Sequence, residues 1–314
     1  MTDQTTSWCR FIGCDVGKAT IVVFDSGSGR TVTVDNEPAA LAAFATKLDD
    51  KSLAICEATG GHEAALLDAL VSTGKAAHRA DARKVKAFIR SLGTLGKSDA
   101  IDARALARYG QERHDRLALW QPRDEHREQL HKLVTTRREL VRESVIYKNR
   151  LAAPGAALVA DRLRRILEAL AQEIAGLEAD IETLIRAHAP LLRAREALRT
   201  IAGIGATTAS ALLALMPELG TLHRRRAAAL AGLAPHPRQS GKTDAYRRTR
   251  GGRPEIKQLL FMAALAAARH NPTLATFYQR LRQNGKKPLV ALTALMRKII
   301  VIANARLRNL QIAI

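Results

Sequence analysis

Seven aliphatic residues at alternating steps of four and three leave residues 163–184 little choice but a long helix with one apolar seam. They are Leu163, Leu167, Leu170, Ile174, Leu177, Ile181 and Leu184. A strand would scatter them over both faces. A second helical run, from Asp124 to about Asn149, carries Leu130, Leu133, Leu140 and Val141 among charged residues, and Pro154–Gly155 separates the two. The pair reads as an antiparallel hairpin or as an arm that pairs with another subunit, and both readings stay open. The helical run divides the 314-residue chain into segments 1–122, 123–190 and 191–314.

The first segment reads as α/β. "RFIGCDVG", "KATIVVFD" and "GRTVTVDN" are three short strands with turn residues between them. A helix at roughly 37–48, the strand "SLAICEA", a helix over 62–72, a strand near 75–79 and a helix near 81–91 follow. "KSDAIDARALARYG" opens a further helix. Three antiparallel strands followed by alternating strands and helices is the order of a ribonuclease-H-like sheet. The last segment reads all-helical and ends in a largely apolar helix after Pro288. Aromatics make up only 4% of the chain, so its core must rest on Leu, Ala, Ile and Val.

The formal net charge is +20, which favours a polyanionic partner. Nucleic acid is the first candidate and an anionic membrane surface the second. The charge is uneven: residues 238–287 hold twelve Lys and Arg against two acids, Asp244 and Glu255. Cys9, Cys14 and Cys56 form no CxxC pair, so neither a zinc site nor a disulfide framework is expected. No basic and apolar leader opens the chain, and no run approaches 18 apolar residues. The expectation is a cytoplasmic, nucleoid-associated protein with no membrane partner.

Four acids stand out by position. Asp15 ends the first strand, Glu57 ends the fourth, and Asp99 and Asp102 share one face at a helix start. Such sheets place chemistry at strand ends and adjacent helix starts. Four converging carboxylates repel unless divalent cations neutralise them. Oxygen ligands without His or Cys suit Mg²⁺ or Mn²⁺. Each acid also has a structural reading: Asp15 as a turn cap, Asp99 as a helix cap. Asp25, Asp35 and Asp81 are rivals expected to be ordinary turn or helix-start residues.

Two features mark the last segment. In "LRTIAGIGATTASALLAL", Gly203 and Gly205 flank Ile204 between helical runs, like a helix-hairpin-helix element that grips a nucleic-acid backbone. The alternative is a plain helix–helix turn. Further on, "SGKT" at 240–243 looks like the end of a nucleotide-binding loop, but His236 stands where that loop needs glycine and no apolar strand enters it. Ser240 remains, in a polar loop within the basic third. It is either solvated or a nucleophile that needs activation.

Six segments, "FIGCDVGK", "AICEATGG", "KSDAIDARALA", "IAGIGATTASALLA", "LAGLAPHPRQSGK" and "KPLVALTALMRKI", occur in the order found in DEDD-type transposases of bacterial insertion sequences, which the chain resembles over essentially its whole length. The resemblance implies a RuvC-like catalytic domain over 1–122, a coiled-coil arm for oligomerisation over 123–190 and a helical transposase domain over 191–314. It puts the metal-binding tetrad on Asp15, Glu57, Asp99 and Asp102 and the nucleophile on Ser240. It further implies donor and target DNA and a structured non-coding bridge RNA as partners, and a homodimer that assembles to a tetramer. The active site would be composite, with the tetrad of one subunit facing the serine of another. After the Ser-Gly, a typical member has a more glycine-rich, basic run than "KTDAYRRTRGGRPEIKQLL". Two other classes stay open on the residues alone. One is a structure-specific, Holliday-junction-type endonuclease using metal and water. The other is a non-catalytic RNA- or DNA-binding module.

Overall fold

The computed structural model describes residues 8–93, 96, 98–122, 124–236, 238–240, 243–245 and 248–312. The chain divides into two compact units, Met1–Pro122 and Arg123–Ile314.

The first unit runs β1 (Arg10–Val16), β2 (Thr20–Asp25), β3 (Thr31–Asp35), α1 (Pro38–Ala45), β4 (Ser52–Glu57), α2 (Ala64–Ser72), β5 (Ala76–Ala80), α3 (Ala82–Ser91) and α4 (Asp99–Arg113). Its sheet has the order β3-β2-β1-β4-β5. β1 pairs antiparallel with β2 and parallel with β4. This is the ribonuclease-H-like arrangement. The strands show why: β1 and β4 read as nearly continuous apolar runs, as central strands covered on both faces must. β3 carries Thr31 and Thr33 and is largely exposed, as an edge requires.

Alternation along the strands separates two cores. Ile12, Cys14 and Val16 of β1 join Ala54 and Cys56 of β4 with Leu41 of α1 and Leu66, Leu67 and Leu70 of α2. On the other face, Phe11, Leu53 and Ile55 meet Val85 and Phe88 of α3 and Leu106, Ala107 and Tyr109 of α4. Each fully buried Leu or Ile contributes about 1.5–3 kcal/mol. Gly13 admits the closest approach of α4: an added Cβ would lie 1.9 Å from the Ala103 carbonyl oxygen.

The second unit comprises α5 (Glu125–Leu151), α6 (Ala160–Ala187), α7 (Ala189–Arg199), α8 (Ala206–Leu215), α9 (Arg224–Leu230), β6 (Arg238–Ser240), β7 (Thr243–Ala245), α10 (Pro254–His270), α11 (Pro272–Gln283) and α12 (Pro288–Ile312). α5 and α6 form a helical hairpin, and Arg137 of α5 pairs with Glu178 of α6. Gly155, at φ 82°, makes the reversal. The seam residues are the less exposed side of α6, and Ile181 is buried in the core. At the base of the hairpin, Leu130, Val134 and Ile185 join that same core with Leu198, Leu212, Leu260, Leu295 and Ile299. Near the tip, Val145, Ile146, Val159 and above all Leu158, 95% exposed, turn apolar surface to solvent. Proline opens α10, α11 and α12, where its missing N–H costs nothing.

One expectation needs correction. The last third is not all-helical: β6 and β7 form a two-stranded antiparallel ribbon. Polar residues and the flanking Gly251 and Gly252 gave no apolar alternation from which to read it. Pro288–Leu310 is long and apolar enough on average to pass as a membrane span, although Arg297 and Lys298 interrupt its apolar run. Its Ala291, Leu295, Met296, Ile299, Ile300, Ala303 and Leu307 are buried at helical spacing in the core of the unit, which accounts for its hydropathy.

Candidate active site

Asp15 and Glu57 sit at the same end of neighbouring strands. Cys14 and Cys56 are Cα partners across the parallel β1–β4 pair, so the next residues, Asp15 and Glu57, emerge side by side on the opposite face. That face is the one α4 covers, since Asp15 follows Gly13 by two residues and Glu57 follows Ile55 by two. The direction of α4 follows from its glycine contacts. Its Ala103 meets Gly13, whereas its Gly110 meets Phe11 and Ile55. The helix therefore runs antiparallel to β1, and its first turn, with Asp99 and Asp102, lies toward the end where Asp15 and Glu57 emerge.

The electrostatics agree. Burial pushes the Glu57 carboxyl above its ordinary value; Lys86 pulls it down, and the charges of Asp102 and Asp81 push it further up. Asp15, Glu57 and Asp102 are half-buried, and Asp99 is exposed. Asp99 does not cap α4, because the Ser98 hydroxyl accepts from Ile101 N at 3.3 Å. The helix dipole favours both acids at this terminus whatever else they do. The rival acids are engaged elsewhere. Asp25 accepts from Arg10, Ser28 and Gly27 N, and Asp81 caps α3 through Arg83 N and Lys84 N. Asp35 lies at the exposed end of β3.

The oxygen-only donor set fits a hard divalent cation such as Mg²⁺ or Mn²⁺, and the like-charge pressure on Glu57 is what such an ion would relieve. The carboxylates are not closed around a point. Among the described residues, the group of three with ligand atoms within 4.8 Å of one another is instead Asp124, His126 and His188 in the second unit. Two of these already serve as helix caps. Asp124 accepts from Arg127 N, and His188 Nδ1 accepts from Leu191 N, which leaves its proton on Nε2. The His126 and His188 rings stack at 4.2 Å. This cluster is a candidate by distance, and helix capping already explains it.

Ser240 ends β6 and is paired with Thr243, so it directly precedes the turn of the ribbon. Its side chain lies outside the described residues, as do Gly241 and Lys242. The neck of the ribbon is firmly built. Gly252, at φ 69°, approaches Gly232 so closely that an added Cβ would meet Gly232 N at 2.2 Å. Arg253 grips Glu218 with bonds of 2.8 and 2.6 Å, and His236 N donates to Arg248 O. At the glycine turn, Gly203 adopts φ 90° and packs against the Ala263 carbonyl of α10. Gly205 is the N-cap of α8, with no side chain capping the N–H groups that follow.

Two residues of the first unit escaped the sequence reading. Glu63 is 2% exposed and holds the loop after Glu57, and Asn36 Nδ2 donates to both Gly17 O and His62 O. The only signal for Glu63 was a glutamate two residues after "TGG", before an apolar run.

Comparison with known proteins completes the picture. A family model described as a DEDD transposase of the IS110 type matches residues 12–154. A second, described as the transposase IS116/IS110/IS902 family, matches residues 195–279. The pilin gene-inverting protein of Moraxella lacunata is 29% identical over 262 residues, 81% of this chain and 80% of that protein. The corresponding protein of Moraxella bovis is equally similar. An insertion element IS110 43.6 kDa protein of Streptomyces coelicolor is 34% identical over 155 residues, 48% of this chain and 37% of that protein.

Proposed function

The chain belongs to the IS110 family of DEDD-type transposases, enzymes that cleave DNA, and from that premise we propose a division of labour within it. Asp15, Glu57, Asp99 and Asp102 hold divalent metal, and Ser240 is the nucleophile. When bound, Mg²⁺ supplies positive charge against the scissile phosphate. The observation that carries this reading is the emergence of Asp15 and Glu57 side by side beneath the first turn of α4, with Glu57 sensing the charge of Asp102.

In the chemical step, Ser240 Oγ bonds to phosphorus while the bond from phosphorus to one deoxyribose oxygen breaks. The serine proton passes to that departing oxygen, with a carboxylate as relay. The new phosphoserine ester conserves the bond. Attack by the hydroxyl of an exchanged strand then rejoins DNA without ATP and restores the serine. The relatives named for inverting a pilin gene support this, because inversion requires every broken bond to be remade. The ribbon that carries Ser240 in the basic segment supports presentation of the hydroxyl to DNA.

The partners follow from the same reading. Donor and target DNA are selected through a structured bridge RNA, and the +20 charge suits both polymers. The uncapped start of α8 after Gly205 offers N–H groups to a backbone phosphate, in the manner of a helix-hairpin-helix element. Apolar residues near the α5–α6 tip, Val145, Ile146, Leu158 and Val159, support pairing of arms between copies in a dimer that assembles to a tetramer. The serine of one copy would then complete the carboxylates of another. Asp15→Asn and Asp102→Asn should abolish cleavage while RNA binding stays within about twofold, since binding is spread over many basic groups. Full cleavage by both variants removes the tetrad from the mechanism.

A further inference from the structure

The loop that follows Glu57 is "ATGGH", and it needs both of its glycines: Gly60 has φ 78° and Gly61 φ 114°. Two adjacent glycines leave a chain loose unless something fixes it. Here that something is Glu63. One carboxylate oxygen accepts from Thr59 N at 3.0 Å, Thr59 Oγ1 at 2.9 Å and Gly61 N at 2.9 Å. The other accepts from Arg79 Nε at 2.7 Å. Glu63 is the one acid among the buried described residues, at 2% exposure. Glu63 is buried while Arg79 stays 40% exposed, so the pair adds little stability of its own and serves to hold the loop's geometry.

The placement says which task. Arg79 lies on β5 opposite Cys56, one residue before Glu57, and Ala58 N donates to Ala80 O. The β4–β5 ladder thus fixes the backbone at Glu57, and the Glu63 clamp fixes the loop that follows it. Asn36 extends the frame by joining Gly17 O, just past β1, to His62 O. The loops that leave the two carboxylate-bearing strands are tied to each other.

We infer that Glu63 is a positioning residue for the metal-binding carboxylates: with Arg79 it fixes the Thr59–Gly61 loop so that Glu57 keeps its orientation beside Asp15 and toward Asp102. Glu63 touches neither metal nor DNA in this role; it acts through Glu57. The inference rests on the reading of Asp15, Glu57, Asp99 and Asp102 as metal ligands.

The test is Mn²⁺ binding to the full-length protein without nucleic acid, followed by the proton relaxation rate of water, alongside thermal unfolding. Glu63→Gln keeps the size but turns an amide N–H₂ toward donors. Arg79→Met loosens the clamp from its 40% exposed end and serves if Glu63→Gln fails to fold. Either variant should weaken Mn²⁺ binding about tenfold, as loss of a ligand-orienting partner does. Glu57→Gln should weaken it further, and adding Glu63→Gln to Glu57→Gln should change nothing more. Loss of affinity in Glu57→Gln with wild-type affinity in both clamp variants overturns the role of Glu63 and leaves the tetrad standing. Wild-type affinity in Glu57→Gln and Asp15→Asn overturns the tetrad, and the role of Glu63 with it.

Discussion

Replacing Gly13 by alanine would drive a methyl group into the backbone of α4. The added Cβ would stand 1.9 Å from the Ala103 carbonyl oxygen and 2.5 Å from the Ala107 nitrogen. To restore ordinary contact the helix must retreat by roughly 1.5 Å. Backbone atoms cannot rotate away, so the cost lies near the top of the overpacking range, about 3 kcal/mol. Lower entropy of the unfolded chain offsets about 0.4–1 kcal/mol of it. A net loss of about 2 kcal/mol in a unit of this size lowers its melting temperature by about 6–10 °C. The two tryptophans, Trp8 and Trp120, both lie in the first unit, so tryptophan fluorescence reports its melting alone. Because α4 carries Asp99 and Asp102 in its first turn, a shift above 1 Å should cut single-turnover cleavage by about 100-fold below the melting transition. Gly110→Ala is the control. Its Cβ would meet the Ile55 side-chain end at 2.3 Å, at the other end of the contact from the acids. It should cost stability with a smaller loss of cleavage. An unchanged melting temperature in Gly13→Ala, or a cleavage loss no greater than in Gly110→Ala, would refute the seating of α4 described above.

Other consequences can be checked separately. In Glu63, burial pushes the carboxyl up, but its own backbone N–H, Arg79 and Thr59 outweigh that and bring it down to about 2 from 4.5. Asp25, hydrogen-bonded by Arg10, is held well below the ordinary carboxylate range. Both folded-state values are depressed, so their stabilisation is complete above about pH 4.5 and is lost as pH falls toward 2. Tryptophan fluorescence should show the first unit weakening over that window, and Glu63→Gln should flatten the slope; an equal slope in wild type and variant would contradict it. In the second unit, Arg195, 4% exposed, bonds both oxygens of Glu182 and so ties α7 to α6. Because Glu182 is 36% exposed and keeps Arg186, Arg195→Ala should cost only about 1 kcal/mol by denaturant unfolding, and a loss above about 3 kcal/mol would mean that Glu182 is left buried and unpaired.

The strand ends and helix starts that carry the four acids were legible because β1 and β4 are apolar runs with an acid at or one residue before their ends, and Asp99–Asp102 falls at a capped helix start. The seam of α6 was legible for the same reason, a repeat that matches only one period. Sequence spacing could not say whether α5 and α6 fold back on each other, because a seam fits any apolar partner. The β6–β7 ribbon was missed, since three-residue strands of polar composition carry no periodicity. Glu63 was missed because nothing local distinguishes a buried acid from a solvated one. Its partner Arg79 comes from another strand.

The proposed chemistry is attack of Ser240 on DNA with help from the carboxylates Asp15, Glu57, Asp99 and Asp102. It is tested most directly by trapping the linkage. Protein, Mg²⁺, bridge RNA and end-labelled donor and target DNA are mixed, denatured, and resolved by mass. A protein–DNA adduct is expected in the wild type and should be absent in both Ser240→Ala and Asp102→Asn. Cleaved DNA with free ends and no adduct, or an adduct undiminished in Ser240→Ala, would contradict it.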